Sequence, residues 1–434
     1  MALALYVAAT ILIPGDQHAR YLAAALVPAL VNAVLMYSMG LYDPAYVANF
    51  RRALPRLFAC LCIGAPLLGR SLSIAGPDED RIVFYGIWTA MVIACIVVAR
   101  MIATPLARRG IASHKVLVIG AGRLAAEIEA LMANAVHSKT QVMGYLPLAN
   151  EATEIPEWRM KPATQSPLEI ARETGAREIV VAADDRRGME LQPLLEARME
   201  GVAITSYLSF WERETRRVHL AALDPSWLIY ADGFHISTAT NIVLKRALDV
   251  VASVVLLILT LPTLVLAALA IKLDSDGPVF YRQERVGRGG QLFRICKFRT
   301  MRTDAEAECG PQWASLADPR VTWVGGFLRR MRIDELPQIL NVLKGEMSFV
   351  GPRPERPEFV RSLAAEIPFY AERHRARPGI TGWAQINYPY GASIEDAREK
   401  LAYDLYYIKN FSFLFDLLII LSTARAVLLN RGGR

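Results

Sequence analysis

Between residues 329 and 354 the chain sets two adjacent carboxylates, Asp334 and Glu335, among Arg329, Arg330, Arg332 and Arg353. Such a pair can give hard oxygen ligands to a divalent cation, or one carboxylate can attack an electrophile while its neighbour handles a proton. The arginines offer planar donor forks for phosphate oxygens. Upstream, Lys297 and Arg299 stand in Lys297-Phe-Arg-Thr-Met301; downstream, Arg377 opens Arg377-Pro-Gly-Ile-Thr-Gly-Trp-Ala-Gln-Ile-Asn387. Arg353 lies between two prolines in Gly351-Pro-Arg-Pro354, so its fork loses little entropy on meeting a phosphate or a pyrimidine edge. Phosphoryl chemistry suits this set, but charge and spacing alone leave open which reaction. Plainer roles compete: Asp334 as a helix N-cap, Glu335 in a first turn favoured by the dipole, and Gly351–Pro354 as a surface turn.

The elements that must position these groups can be traced along the chain. Leu336, Ile339, Leu340 and Leu343 form a helical apolar stripe that Gly345 can close. Before the motifs, Lys245–Lys272 holds 20 Ala, Val, Leu and Ile residues, enough to cross a bilayer, with Pro262 in the middle. Proline removes a helix hydrogen bond, and basic residues flank both ends, so the stretch is expected to re-enter the membrane as a hairpin hinged at Pro262; a kinked spanning helix is the alternative. The first hundred residues carry four apolar stretches, near 2–14, 21–38, 57–69 and 82–104. Arg51, Arg52, Arg56, Arg108, Arg109 and Lys115 mark the connectors that stay inside, giving a four-span bundle with both ends cytoplasmic.

From Lys115 an apolar strand enters a turn with Gly120, Gly122 and Ala125 at GxGxxA spacing, and further strands are expected near 141–148, 178–183 and 202–205. This start is Rossmann-like. The turn either seats a nucleotide or acyl-CoA on the helix N-terminus or serves close strand–helix packing. The expected organisation is a transmembrane helical bundle over 1–110, a central α/β Rossmann-like domain over 111–235, and a mainly α catalytic domain over 240–434 with its re-entrant helix at 245–272.

Composition narrows the function classes. The 434 residues are 53% hydrophobic with a mean hydropathy of +0.25, which excludes a disordered chain and favours membrane segments. Five cysteines without a CxxC pair, and six scattered histidines, give neither a disulfide framework nor a zinc signature. Lys245 to Arg434 carries 27 Lys+Arg against 20 Asp+Glu, so the whole net charge of +7 resides there. That field suits phosphate-bearing ligands or an anionic membrane; no nucleic-acid-binding pattern accompanies it.

The run from Lys245 to about Leu429 resembles the catalytic domain of the monotopic phosphoglycosyl transferases, bacterial sugar transferases that start exopolysaccharide or O-antigen synthesis. Five ordered motifs carry the likeness: KFRTM at 297–301, Asp334-Glu335 with Leu-Pro-Gln after it, NVLKGEMSFVGPRP at 341–354, RPGITGWAQIN at 377–387, and Asp404-Leu-Tyr-Tyr-Ile-Lys-Asn410. The N-terminal half is similar in layout to the large multi-span members. The resemblance implies that Asp334 attacks a cytosolic UDP-sugar, releasing UMP, and that undecaprenyl phosphate then takes the phosphosugar. It implies Mg²⁺ at Asp334 and Glu335, Arg353 on the nucleotide or phosphates, and Lys297, Arg299, Arg329 and Arg377 as further substrate-binding groups. The enzyme would sit in the bacterial inner membrane with its catalytic domain facing the cytoplasm, homo-oligomerisation being left open. A nucleotide-sensing membrane regulator and a scaffold of a polysaccharide complex are the alternatives. Family members often place Ser before the helix-breaking proline; here Leu261 precedes Pro262 and Thr260 stands one further back.

Overall fold

The computed structural model describes residues 114–134, 140–148, 151–185, 187, 189–223, 225, 233–234, 238–302, 320–389, 391 and 393–428, with 36, 60 and 98 standing alone. The expected transmembrane bundle over 1–110 lies outside the described residues. The chain divides into two compact units, Met1–Phe210 and Trp211–Arg434.

In the first unit, strands β1 (His114–Ile119), β2 (Thr140–Leu146), β3 (Glu178–Val181) and β4 (Ala203–Ser206) pair in parallel, in the order β2-β1-β3-β4. Helices α1 (Arg123–Asn134), α2 (Pro167–Thr174) and α3 (Gln192–Met199) connect them. All four expected strands are present within a residue or two. Parallel strands covered by helices read as continuous apolar runs, and Leu117, Ile119, Leu146, Ile170, Ile179, Val181 and Leu194 bury together accordingly. Ser166 caps α2 with a capping box and Gly175 ends it in the left-handed conformation. Helix α4 (Tyr207–Thr215) carries the chain into the second unit.

The second unit opens on helix α5 (Ala239–Asp274), the one described helix long and apolar enough to cross a membrane. It runs through Pro262 as a continuous 36-residue helix. The proline therefore does not divide it, although it deletes the bond that the Ile258 carbonyl would receive. Thr260, the displaced hydroxyl, donates to the Leu256 carbonyl at 2.7 Å. Val251, Val254, Val255, Ile258, Leu259, Leu261, Val265, Leu266 and Leu269 are exposed along its middle.

Both ends of α5 are held by this same unit. Near its start, Lys245 is buried and donates to Asp416 at 2.7 Å, to the Tyr407 hydroxyl and to the Val350 carbonyl, while Arg246 donates to the carbonyls of Val342 and Leu343. Asp249 accepts from Ser348 and from the Phe349 N–H. Near its finish, Ala267 and Ile271 pack with Phe298 and Leu328, and Asp274 accepts from the Val324 N–H.

The hairpin of β5 (Phe280–Val286) and β6 (Leu292–Phe298) follows, then α6 (Trp323–Arg330), a 3-10 helix at Ile333–Gln338, and α7 (Ile339–Lys344), which Gly345 closes at a φ of 86° as its position suggested. Strands β7 (Ser348–Val350) and β8 (Gly379–Thr381) pair in parallel, with α8 (Pro357–Glu366) and a 3-10 helix at Tyr370–Arg375 between them. Helices α9 (Trp383–Asn387), α10 (Ile394–Lys409) and α11 (Phe413–Leu428) complete the unit around Val350, Trp383, Tyr407, Ile408, Phe411 and Ile419.

Candidate active site

Asp334 and Glu335 sit in the 3-10 helix Ile333–Gln338, which packs against β6. Arg332 precedes it at a φ of 57°, a left-handed conformation uncommon for a side chain of this size, and so reverses the chain sharply after α6. The cap position therefore belongs to Arg332, and no side chain caps this helix. The N-cap role expected of Asp334 is not the one it fills, because the 3-10 helix starts at Ile333 and places Asp334 inside it.

Two cationic groups from distant elements converge on one oxygen of Glu335. Lys297 Nζ, from the end of β6, donates to Glu335 Oε1 at 3.1 Å, and Arg353 Nη2, from the loop after β7, donates to the same atom at 2.7 Å. Arg332 adds a third positive charge at 3.9 Å. Burial pushes the Glu335 carboxyl up, but Arg353 and Lys297 outweigh it and hold it well below the usual range, so it stays ionised. Burial also pushes the Lys297 ammonium down, partly countered by Glu335.

Asp334 has the opposite environment. It is 9% exposed, and no hydrogen bond from a described residue reaches its carboxylate. Burial and the Glu335 charge raise its pKa, with Lys297, Arg329 and Arg353 acting against them. Adjacent carboxyls are thus driven apart, one clamped as an anion and the other less solvated and more basic.

The structure brings Asp334, Glu335, Lys297, Arg329 and Arg353 together. Arg329 also donates from Nε to the Thr300 hydroxyl at 2.8 Å. Arg299 stands elsewhere: its guanidinium donates to the carbonyls of Ser275 and Asp276, clasping the turn after α5. Arg377 lies in the electrostatic neighbourhood of Arg288, Asp249 and Arg246. Gln385 escaped notice in the sequence although it stands in the Arg377–Asn387 motif; its Oε1 accepts from Arg353 Nη1 at 3.3 Å. A cavity of about 450 Å³ is lined by Arg282, Arg294, Cys296 and Lys344 among others and includes neither residue of the acid pair.

The donor set fits Mg²⁺. Asp334 and Glu335 are two adjacent hard oxygen donors, and among the described residues no group of three or more His, Cys, Asp or Glu gathers. Mg²⁺ is commonly held by one or two carboxylates, with substrate phosphates and water completing its shell.

The glycine turn of the first unit has a different fate. Glu151 accepts from the Ala121 and Asp184 N–H groups, and Asp184 accepts from the N–H groups of Arg123 and Leu124 at the start of α1. A Cβ on Gly122 would collide with both carboxylates. The donors that would cradle a phosphate are filled by the chain's own anions. Titration of the full-length protein with NAD⁺ or coenzyme A is therefore expected to give no saturable binding, and Asp184→Ala should cost about 0.5–2 kcal/mol, as loss of a helix cap does. Saturable binding of either probe by the parent would contradict this.

Comparison with known proteins identifies the family of the second unit. Residues 240–430 match the family model described as bacterial sugar transferase. The chain is 50% identical over 191 residues to the UDP-N-acetylgalactosamine-undecaprenyl-phosphate N-acetylgalactosaminephosphotransferase of Aeromonas hydrophila, covering 44% of this chain and 45% of that protein. It is 49% identical over 188 residues to the UDP-glucose:undecaprenyl-phosphate glucose-1-phosphate transferase of Caulobacter vibrioides, covering 42% and 69%. It is 44% identical over 188 residues to the exopolysaccharide production protein PSS of Rhizobium leguminosarum bv. phaseoli, covering 42% and 94%. The chain belongs to the bacterial sugar transferase family. Its match spans less than half the length of the Aeromonas protein.

Proposed function

We propose that this protein transfers a sugar 1-phosphate from a UDP-sugar to undecaprenyl phosphate, releasing UMP, through a covalent intermediate on Asp334, and so starts assembly of an exopolysaccharide or related glycan. The names of its relatives support the donor and acceptor classes. The observation that carries the mechanism is the division of labour in the acid pair. Glu335 is pinned by Arg353 and Lys297, while the buried Asp334 oxygen carries no donor that would blunt its attack.

In the first half, an Asp334 carboxylate oxygen bonds to the β-phosphorus and the bond from that phosphorus to the bridging oxygen breaks, the electron pair leaving with UMP. In the second half, a phosphate oxygen of the lipid bonds to the same phosphorus and the Asp334 oxygen departs as carboxylate. Arg353, Lys297 and Arg329 spread positive charge over the reacting phosphates. Mg²⁺ at Asp334 and Glu335 would offset pyrophosphate charge.

The membrane reading follows from α5. A helix that crossed the bilayer would put its ends on opposite sides, whereas Lys245, Arg246 and Asp274 all anchor in one folded unit and leave the apolar middle uncovered. That arrangement supports a re-entrant α5, with both ends and the acid pair in the cytoplasm, where UDP-sugars are made.

Purified protein in nanodiscs tests the reading. UMP release is expected with at least one of UDP-glucose and UDP-N-acetylgalactosamine, sustained only when undecaprenyl phosphate is added, halted by excess chelator and restored by Mg²⁺. A folded protein that releases no UMP from a panel of UDP-sugars would overturn it.

A further inference from the structure

Arg353 projects from a loop whose carbonyls are all taken. Pro352 accepts from the Gly379 N–H, Pro354 from Arg285 Nη1 and Glu355 from the Val286 N–H. The Arg353 carbonyl itself accepts from Arg373 Nη2 at 3.1 Å. Arg373 comes from the 3-10 helix Tyr370–Arg375 and is 5% exposed; its Nε and Nη2 reach Asp404 Oδ2 of α10 at 3.1 and 2.8 Å, and its Nη1 donates to the Tyr370 hydroxyl at 2.6 Å. Asp404 is 1% exposed.

We propose that the Arg373–Asp404 pair is a positioning device for the transfer reaction: it fixes the backbone of Arg353, and through it the guanidinium that clamps Glu335 beside the nucleophile. The inference rests on the functional reading above. The geometry favours it over a purely structural role. A buried ion pair is a weak source of stability compared with apolar packing, and is retained more readily where a definite arrangement is needed. Here the pair spans α10 and the second 3-10 helix and spends its remaining donors on one carbonyl of the active-site loop and one hydroxyl. Prolines on both sides of Arg353 have no N–H, so the loop cannot be fixed by backbone donation at those two positions. A guanidinium can serve carboxylate, hydroxyl and carbonyl at once because its donors diverge in a plane; an ammonium cannot match that geometry.

A double-mutant cycle in the full-length protein tests this, with UMP release as the readout and thermal melting as the control on folding. Arg373→Lys keeps the charge on Asp404 but loses the fork, and Asp404→Asn, close in size, is the second variant. Each is expected to lower the rate by about 10-fold or more in the parent and by less than about 2-fold in an Arg353→Ala background, the coupling typical of residues that act through one another. A structural role would lower the rate equally in both backgrounds. Losses of equal size in the parent and in the Arg353→Ala background would overturn the inference, while UMP release by the parent would leave the functional reading standing.

Discussion

Asp334→Asn is expected to cut UMP release by about 10⁴-fold or more, the scale on which removal of a covalent nucleophile acts. The amide matches the carboxylate in shape but has no anionic oxygen to bond to phosphorus. The protein should fold as before, because no described residue donates a hydrogen bond to Asp334. Stability should even rise slightly at neutral pH. Burial and Glu335 raise the folded-state pKa of Asp334, so its ionised form opposes folding at every pH above that value, and the uncharged amide removes the penalty. The same shift governs the rate: the nucleophile is lost as pH falls through a value above the ordinary aspartate pKa of about 3.9. Near-parental release from Asp334→Asn, or a marked loss of melting temperature, would remove the basis for the assignment.

Arg353→Ala should produce the second largest effect, a fall of about 10²–10³-fold, comparable with losing one preorganised charged donor at a transition state. Glu335 would keep Lys297 but lose its shortest hydrogen bond, and burial would then carry its carboxyl upward. Asp334 loses one of the charges that lowers its own pKa, so the acid limb of the rate profile should move to higher pH. Stability follows with a definite sign. A depressed Glu335 pKa stabilises the fold above the unfolded glutamate value of about 4.3 and ceases to do so as pH falls through the folded value. The variant should therefore melt earlier than the parent at neutral pH and approach it in acid. About 1–3 kcal/mol is the expected size, below the range for fully buried pairs because the Arg353 side chain is 35% exposed. Arg353→Lys should recover part of the rate by returning the charge without the fork. An unmoved acid limb in Arg353→Ala would separate Arg353 from the acid pair.

Much of this site was legible because its parts are local in sequence. Asp334 and Glu335 are neighbours, Arg353 is held by its flanking prolines, and Gly345 marks a helix end by its own conformational freedom. The four strands of the first unit announced themselves as apolar runs between turns, since a parallel strand is buried on both faces. What the sequence hid was each side chain's choice of partner. Lys297 and Arg353 meet on one glutamate oxygen only because β6 and the loop after β7 pack around the 3-10 helix. Arg299 looked as suitable for phosphate as Arg329, yet a guanidinium binds backbone carbonyls equally well, and the turn after α5 supplied them. Glu151 and Asp184 lie 29 and 62 residues beyond Gly122, so nothing near the glycine turn foretold that they would fill it. Pro262 predicted an interrupted helix, whereas α5 continues through it, since one missing bond is tolerable when both ends are anchored.

The central claim is that the acid pair forms a covalent phosphosugar before the lipid arrives. Exchange of labelled UMP into unlabelled UDP-sugar, with no undecaprenyl phosphate present, tests it most directly, because label can enter the donor only if the first half-reaction runs and reverses on the enzyme alone. The parent protein should catalyse this exchange, and Asp334→Asn should show none. A parent that turns over normally with lipid yet gives no exchange without it, or an Asp334→Asn variant that exchanges, would contradict the covalent account.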